Sequence, residues 1–205
     1  EQTPLTLRNA LLEEAHETVE AINKDDHPHI GEELGDVILV VMLISYIEEQ
    51  DDHLSVQQII DQLSEKLIRR HPHVFGDGCA DTGDAVRITW EEIKAAERAG
   101  KKSDDAPASA LDGVGSGFPA LTRAEKLQKR AARVGFDWND AGDVVGKIKE
   151  EIDEVTAEAE AGDFAKLEEE IGDVLFVIAN WARHFKVDPE TALRKANAKF
   201  ERRFR

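Results

Sequence analysis

Cys79 is the chain's only cysteine, so no disulfide can form within it and any core must hold without a covalent staple. That usage fits a reducing compartment, and a cytoplasmic location is expected. Long apolar runs are also missing. The longest, Val37 to Ser45, is far shorter than the roughly 18 to 20 residues a membrane-spanning helix needs. The N-terminus lacks a charged-then-apolar signal pattern, so no membrane partner is expected. Basic stripes with interleaved aromatics are absent, and a formal charge of −17 repels phosphate backbones, which argues against a nucleic acid polymer as partner. Strand signals are nearly absent. The chain opens at Glu1 and stops at Arg205 within a basic helical pattern, so further segments are expected at both ends.

What the chain does contain is one acidic pattern written twice. Glu13-Glu14-Ala15-His16-Glu17 precedes Glu32-Glu33-Leu34-Gly35-Asp36, and Glu150-Glu151-Ile152-Asp153-Glu154 precedes Glu169-Glu170-Ile171-Gly172-Asp173. A constant offset of 137 positions (151 − 14) carries Glu14 to Glu151, Glu17 to Glu154, Glu33 to Glu170 and Asp36 to Asp173. The same register aligns Gly35 with Gly172 and Val37 with Val174, which marks a duplicated module.

Periodicity makes the carrier of each pattern a helix. Leu7, Leu11, Ala15, Val19 and Ile22 recur at spacings of three and four, and Asp25 to His29, with Pro28, reads as a break. A second helix is predicted from about Gly31 to Glu49, apolar nearly all round after Asp36 and therefore expected to be buried on several sides. Ser55 caps a third that runs to about Arg70, and a short helix is expected around Trp90, Ile93 and Ala96. Lys101 to Phe118, rich in Ser, Asp, Ala, Gly and Pro, reads as a linker. Helices are then expected near 119–133, 144–160, 164–185 and 189–205, with a turn through Gly135 to Asn139. The chain is predicted to be all-α, with helical modules at 1–100 and 119–205 joined by a linker at 101–118.

Paired glutamates usually make a solvated helix face, but recurrence at identical spacing, each time beside Gly-Asp at the mouth of an apolar helix, favours a metal site. A carboxylate beside Val37 or Val174 is costly to bury unless paired or metal-bound. Glycine in mid-helix costs about 1 kcal/mol relative to alanine, which close helix packing or room for a ligand would explain at Gly35 and Gly172. A carboxylate set without nearby thiolate or histidine prefers Mg²⁺, with Mn²⁺ as substitute, over zinc. The surplus of acid can hold a second ion or orient a water. Such a site suits metal-bound polyphosphate, and it needs cations of its own. Lys66 and Arg70 follow the first acidic pair and Lys199 and Arg203 the second, each pair four apart on one helix face, with Asn197 adding an amide. Without a ligand, those residues read as a basic helix end favoured by the helix dipole.

The EExxE and EExGD motifs, Lys199 to Arg205 (KFERRFR), Arg69 to Phe75 (RRHPHVF) and Val134 to Trp138 (VGFDW) together resemble the MazG family of nucleoside triphosphate pyrophosphohydrolases. The resemblance spans nearly the whole chain. It implies an all-α pyrophosphohydrolase fold, with homodimers whose four-helix bundles house the sites, and Mg²⁺-dependent hydrolysis of nucleoside triphosphates at the α-phosphorus, as in nucleotide-pool housecleaning. Carried over residue by residue, it implies metal ligation by Glu151, Glu154, Glu170 and Asp173, water activation by Glu150 or Glu169, and phosphate contacts from Lys147, Lys199 and Arg203. In the first module it implies metal ligation by Glu14, Glu17, Glu33 and Asp36, but Ala10 stands where Lys147 stands in the second. Relatives usually continue past the equivalent of Arg205 with a tail that adds substrate contacts.

Two readings of other classes compete. A di-iron or di-manganese oxidoreductase bundle needs an ExxH pair on each of two helices; Glu13 and His16 form one, but Asp153 stands at the repeat of His16. A non-catalytic metal- or nucleotide-binding module would use the same acids without turnover.

Overall fold

The computed structural model describes residues 2–76, 82, 86, 89–90, 93–94, 96–97 and 109–205, so Cys79 and most of the 77–108 segment lie outside the described residues. The described chain is helical and contains no strand. Its helices are α1 (Pro4–Lys24), α2 (His27–Gln50), α3 (Val56–Arg70), α4 (Pro72–Phe75), α5 (Ala120–Arg133), α6 (Ala141–Ala161), α7 (Phe164–His184) and α8 (Pro189–Phe204). They fall into two compact units, Glu1–Gly100 and Lys101–Arg205. No helix among the described residues is long and apolar enough to cross a membrane.

Each unit is organised by a two-helix hairpin, α1 against α2 and α6 against α7. The two turns are built alike, one residue at a time. Asp25 ends α1 in the left-handed region at φ 57°, and Gly162 ends α6 there at φ 74°. The next amide closes the turn backwards, Asp26 N to Ala21 O at 3.1 Å and Asp163 N to Glu158 O at 3.3 Å. The same aspartates then cap the following helices by accepting from the amides of His29 and Lys166, each at 3.3 Å. Glycine adopts positive φ without a Cβ penalty, and aspartate is among the few other residues that tolerate it. The turn is tight enough to lay the two acidic helices side by side.

The predicted break at Asp25 to His29 is shorter than its proline suggested. Pro28 lies in the first turn of α2, where its missing N–H is one no helix could satisfy, so it begins the helix instead of interrupting it. His29 is therefore helical. Ser55 caps α3 as expected, its hydroxyl accepting from Gln58 N at 3.2 Å while Gln58 Oε1 accepts from Ser55 N at 2.8 Å. Of the short helix expected near Trp90, the described residues are helical and the others lie outside the described set.

In the second unit α5 and α8 pack on α7 and on each other. Gln128 Nε2 donates to the Phe176 carbonyl at 2.7 Å, tying α5 to α7. The Val134 to Trp138 motif fastens the next connection. Asp137 forms an ion pair with Arg183 at the end of α7, and His184 Nε2 lies 3.5 Å from the same carboxylate. Arg183 is braced by Asn180 Oδ1 at 2.7 Å. Burial raises the proton affinity of Asp137, but the Arg183 hydrogen bond and charge, the Trp138 amide and His184 outweigh it and hold the carboxyl below its usual value.

Among the described residues the cores are small. Leu7, Ala21 and Val40 are buried in the first unit, and Ala124, Val144, Val177 and Ala179 in the second. The burial expected of α2 on several sides is not met within its unit: Ile38, Leu39, Met42 and Tyr46 are each at least half exposed. On α7, Leu175, Phe176, Ile178 and Trp181 are also substantially open.

Candidate acidic metal centres

Glu14 and Glu17 lie one turn apart on α1, and the antiparallel return of α2 brings Glu33 against them, so that one carboxylate oxygen from each lies within 4.8 Å of the others. Glu151 and Glu154 on α6 form the same group with Glu170 on α7. Each group can hold a hard divalent cation through oxygen. Both groups consist of glutamate alone, but the expectation of no nearby histidine fails in the first, where the His29 ring contacts Glu33 from i−4, a spacing that is not the ExxH pair of an oxidoreductase site.

Electrostatics agrees with crowding of like charge. Desolvation raises the Glu14 carboxyl above its usual value, and the charges of Asp36, Glu17, Glu33 and Glu13 push it further. Glu154 is raised likewise, first by desolvation, then by Glu151 and Glu170, with Lys147 opposing. Asp36 is thus part of the first site's field although it lies outside the three-oxygen group; Asp173 is exposed and outside the second. Glu150 and Glu169 are exposed beside their clusters.

The buried acid differs between the units, and each is met by a different nitrogen side chain from one turn earlier on its own helix. In the first, Glu33 is 6% exposed and its Oε1 lies 2.6 Å from His29 Nε2, one turn earlier on α2. In the second, Glu151 is 4% exposed and its Oε1 lies 2.7 Å from Lys147 Nζ, one turn earlier on α6. Lys147 also reaches Glu150 Oε1 at 2.8 Å, and its two acidic partners, Glu150 first, raise its proton affinity well above the ordinary lysine value. Lys147 is therefore fixed as a cation at the cluster, and to reach a phosphate it must exchange a carboxylate for it. Sequence reasoning missed His29, whose spacing of four from Glu33 was available but hidden by the expected break at Pro28.

Lys199 and Arg203 are exposed near the end of α8. Their counterparts on α3 are unlike in one respect: Arg70 is only partly exposed, and both Arg69 and Arg70 bond Glu97. Close packing within the chain does not explain the mid-helix glycines, because a Cβ added at Gly35 or Gly172 would meet nothing within 4 Å. Space remains open beside both Gly-Asp pairs.

Raised carboxyl values carry a sign for stability. A carboxyl that binds its proton more tightly folded than unfolded favours the fold below its ordinary range, and this advantage is lost as pH rises through that range and the raised value. At neutral pH the ionised Glu14 and Glu154 carboxylates therefore each oppose folding. Glu154→Gln should raise the thermal midpoint of chelator-treated protein, and millimolar Mg²⁺ should raise that of the parent more than that of the variant; calorimetry with and without EDTA checks both.

Comparison with known proteins accounts for the pattern. The family described as the MazG nucleotide pyrophosphohydrolase domain matches residues 2–75 and 143–205, and each matched segment carries one acidic cluster. An Escherichia coli (strain K12) protein named nucleoside triphosphate pyrophosphohydrolase is 47% identical over 207 residues, spanning 100% of this chain and 77% of that protein. A Thermotoga maritima protein named nucleoside triphosphate pyrophosphohydrolase/pyrophosphatase MazG is 44% identical over 204 residues, spanning 100% of this chain and 75% of the relative. An uncharacterised Bacillus subtilis protein is 44% identical over 204 residues, spanning 99% of this chain and 41% of its own length. With both acidic segments inside the matched regions and relatives aligned from end to end of it, this chain belongs to the MazG nucleotide pyrophosphohydrolase domain family.

Proposed function

We propose that the protein hydrolyses nucleoside triphosphates to monophosphates and pyrophosphate with Mg²⁺, or Mn²⁺ in its place, acting in nucleotide-pool housecleaning. The observation that carries this reading is the pair of three-glutamate clusters, each inside a family-matched segment and each with one carboxyl raised first by desolvation and then by its acidic neighbours. Glu151, Glu154 and Glu170 would hold the ion in the second unit, with Asp173 nearby, and Glu14, Glu17, Glu33 and Asp36 in the first. The donor set fits: all oxygen, anionic, partly buried and closely spaced. When bound, the ion supplies charge neutralisation on the polyphosphate and polarisation of water.

The protein's own groups do the rest. Glu150 or Glu169 accepts a proton from the water that attacks the α-phosphorus, and the bond to the oxygen bridging toward the β-phosphorus breaks, releasing pyrophosphate. Lys147, held as a cation by Glu150 and Glu151, meets charge on the polyphosphate, and Lys199 and Arg203 extend that contact. Product analysis with Mg²⁺ tests the bond cleaved. Monophosphate and pyrophosphate are expected, while orthophosphate with nucleoside diphosphate would rule out attack at the α-phosphorus.

The modules at 1–100 and 119–205, joined by the 101–118 linker, are read as homologous halves, with four-helix-bundle sites completed on homodimerisation. The open apolar faces of α2 and α7 support that assembly, since so many large side chains left in water favour a partner. Light scattering at micromolar concentration should give at least twice the chain mass.

The second unit is expected to carry most of the turnover, because only it has a lysine one turn before the first metal-site glutamate. Loss of one preorganised charge contact commonly costs roughly a hundredfold to a thousandfold in rate. Glu154→Gln should remove most activity and Glu17→Gln should leave most of it, as measured by pyrophosphate release with both variants folded.

A further inference from the structure

Beyond the missing lysine, the first unit differs from the second at the end of its third helix. Lys66-Leu67-Ile68-Arg69-Arg70 repeats as Lys199-Phe200-Glu201-Arg202-Arg203, and each lysine follows its helix cap, Ser55 or Asp188, by eleven positions (66 − 55 and 199 − 188). Arg69 and Arg70 thus correspond to Arg202 and Arg203, on a helix that packs against the second acidic helix in each unit. Arg202 and Arg203 are exposed, and no described carboxylate forms an ion pair with them. Arg69 and Arg70 converge on one acid. Arg69 Nε lies 2.6 Å from Glu97 Oε1, and Arg70 reaches Oε2 through Nε at 3.1 Å and through its Nη2 at 2.5 Å.

The contact is part-buried and braced. The side chains of Arg70 and Glu97 are 18% and 16% exposed, and Arg70 lies over the Trp90 ring at 5.6 Å, with Lys94 Nζ 4.4 Å from the same ring. Hydrogen bonds from Arg70 and then Arg69 hold the Glu97 carboxyl down to about 2, so it is charged at every physiological pH. A carboxylate and a phosphate present similar paired oxygens to a guanidinium, and two arginines on one carboxylate make the arrangement a phosphate would use.

We propose that Glu97 occupies, in the first unit, the arginine pair that the second unit leaves open for polyphosphate, so that the first unit excludes substrate phosphates by means of its own chain. The inference rests on the polyphosphate reading given above. It makes the first unit a metal-binding module from which the phosphate contact has been withdrawn, and it names the residue that withdraws it. A like-charged carboxylate at the arginines also repels an arriving anion, so exclusion has an attractive and a repulsive part.

Calorimetric titration of the full chain with inorganic tripolyphosphate and Mg²⁺ tests it. The parent should bind one tripolyphosphate per chain. Glu97→Gln and Glu97→Met, each neutral and of similar length, should bind two, the new site gaining about tenfold or more in affinity as one charge-assisted contact becomes available. Glu97→Asp, which keeps the charge, should stay at one. The proposal is overturned if the neutral variants, helical by circular dichroism, still bind one, if the parent already binds two alike, or if both neutral variants lose their fold, which would make Glu97 a structural tie. Triphosphate hydrolysis by the parent, assayed on the same samples, reports separately on the reading of function: without turnover, a gained site would uphold this proposal alone.

Discussion

Three carboxylates held within one ion's reach of each other form the constraint to which the rest of each hairpin answers. Like charges repel at close range, and the raised proton affinities of Glu14 and Glu154 register desolvation first and that repulsion second. A hairpin that merely packed well would turn those acids outward. Here the tight Asp25–Asp26 and Gly162–Asp163 turns leave little freedom of register, so the acids stay opposed and the strain is eased by Lys147 in the second unit and, on our reading, by a divalent ion in both. This is the ordinary signature of a site whose chemistry takes precedence over stability.

The relief differs between the units, and the difference is chemical. Lysine at 147 is a permanent charge on a flexible stem, able to pass from carboxylate to phosphate. Histidine at 29 has a planar ring with directional nitrogens, and it braces Glu33 from one turn earlier on the same helix, α2. The two units thus share the acids and differ in the partner of the buried one, a lysine on the first acidic helix of the second unit and a histidine on the second acidic helix of the first. A group that can leave its acid for a substrate suits turnover, whereas one that orients an acid suits the stability of a site.

Much of this was legible in the sequence. Apolar spacings of three and four located the helices, because burial of one face is a local and periodic demand. The repeat register located both acid sets, and Glu14, Glu17 and Glu33 meet, as do Glu151, Glu154 and Glu170, because turn and helix pitch are both local. Pro28 misled, since proline begins helices as readily as it breaks them and only the cap at Asp26 decides which. The Glu97 contact was not legible at all. Arg70 and Glu97 are 27 residues apart with no periodic relation, and a pairing of that kind depends on how a connecting segment returns.

The apolar faces of α2 and α7 give the same lesson at a larger scale. Reading α2 as buried on several sides was a statement about its composition, and composition does not say what does the burying. Within the unit Val40 is covered while Ile38, Leu39 and Met42 are open, and the space beside Gly35 is empty. A helix so apolar gains little from solvent, and a glycine facing open space gains nothing from its missing side chain. Both features become economical if another helix closes over that face, with Gly35 letting it approach beside Asp36. The same holds for Gly172 and Asp173, so assembly and completion of the acidic centres would be a single event.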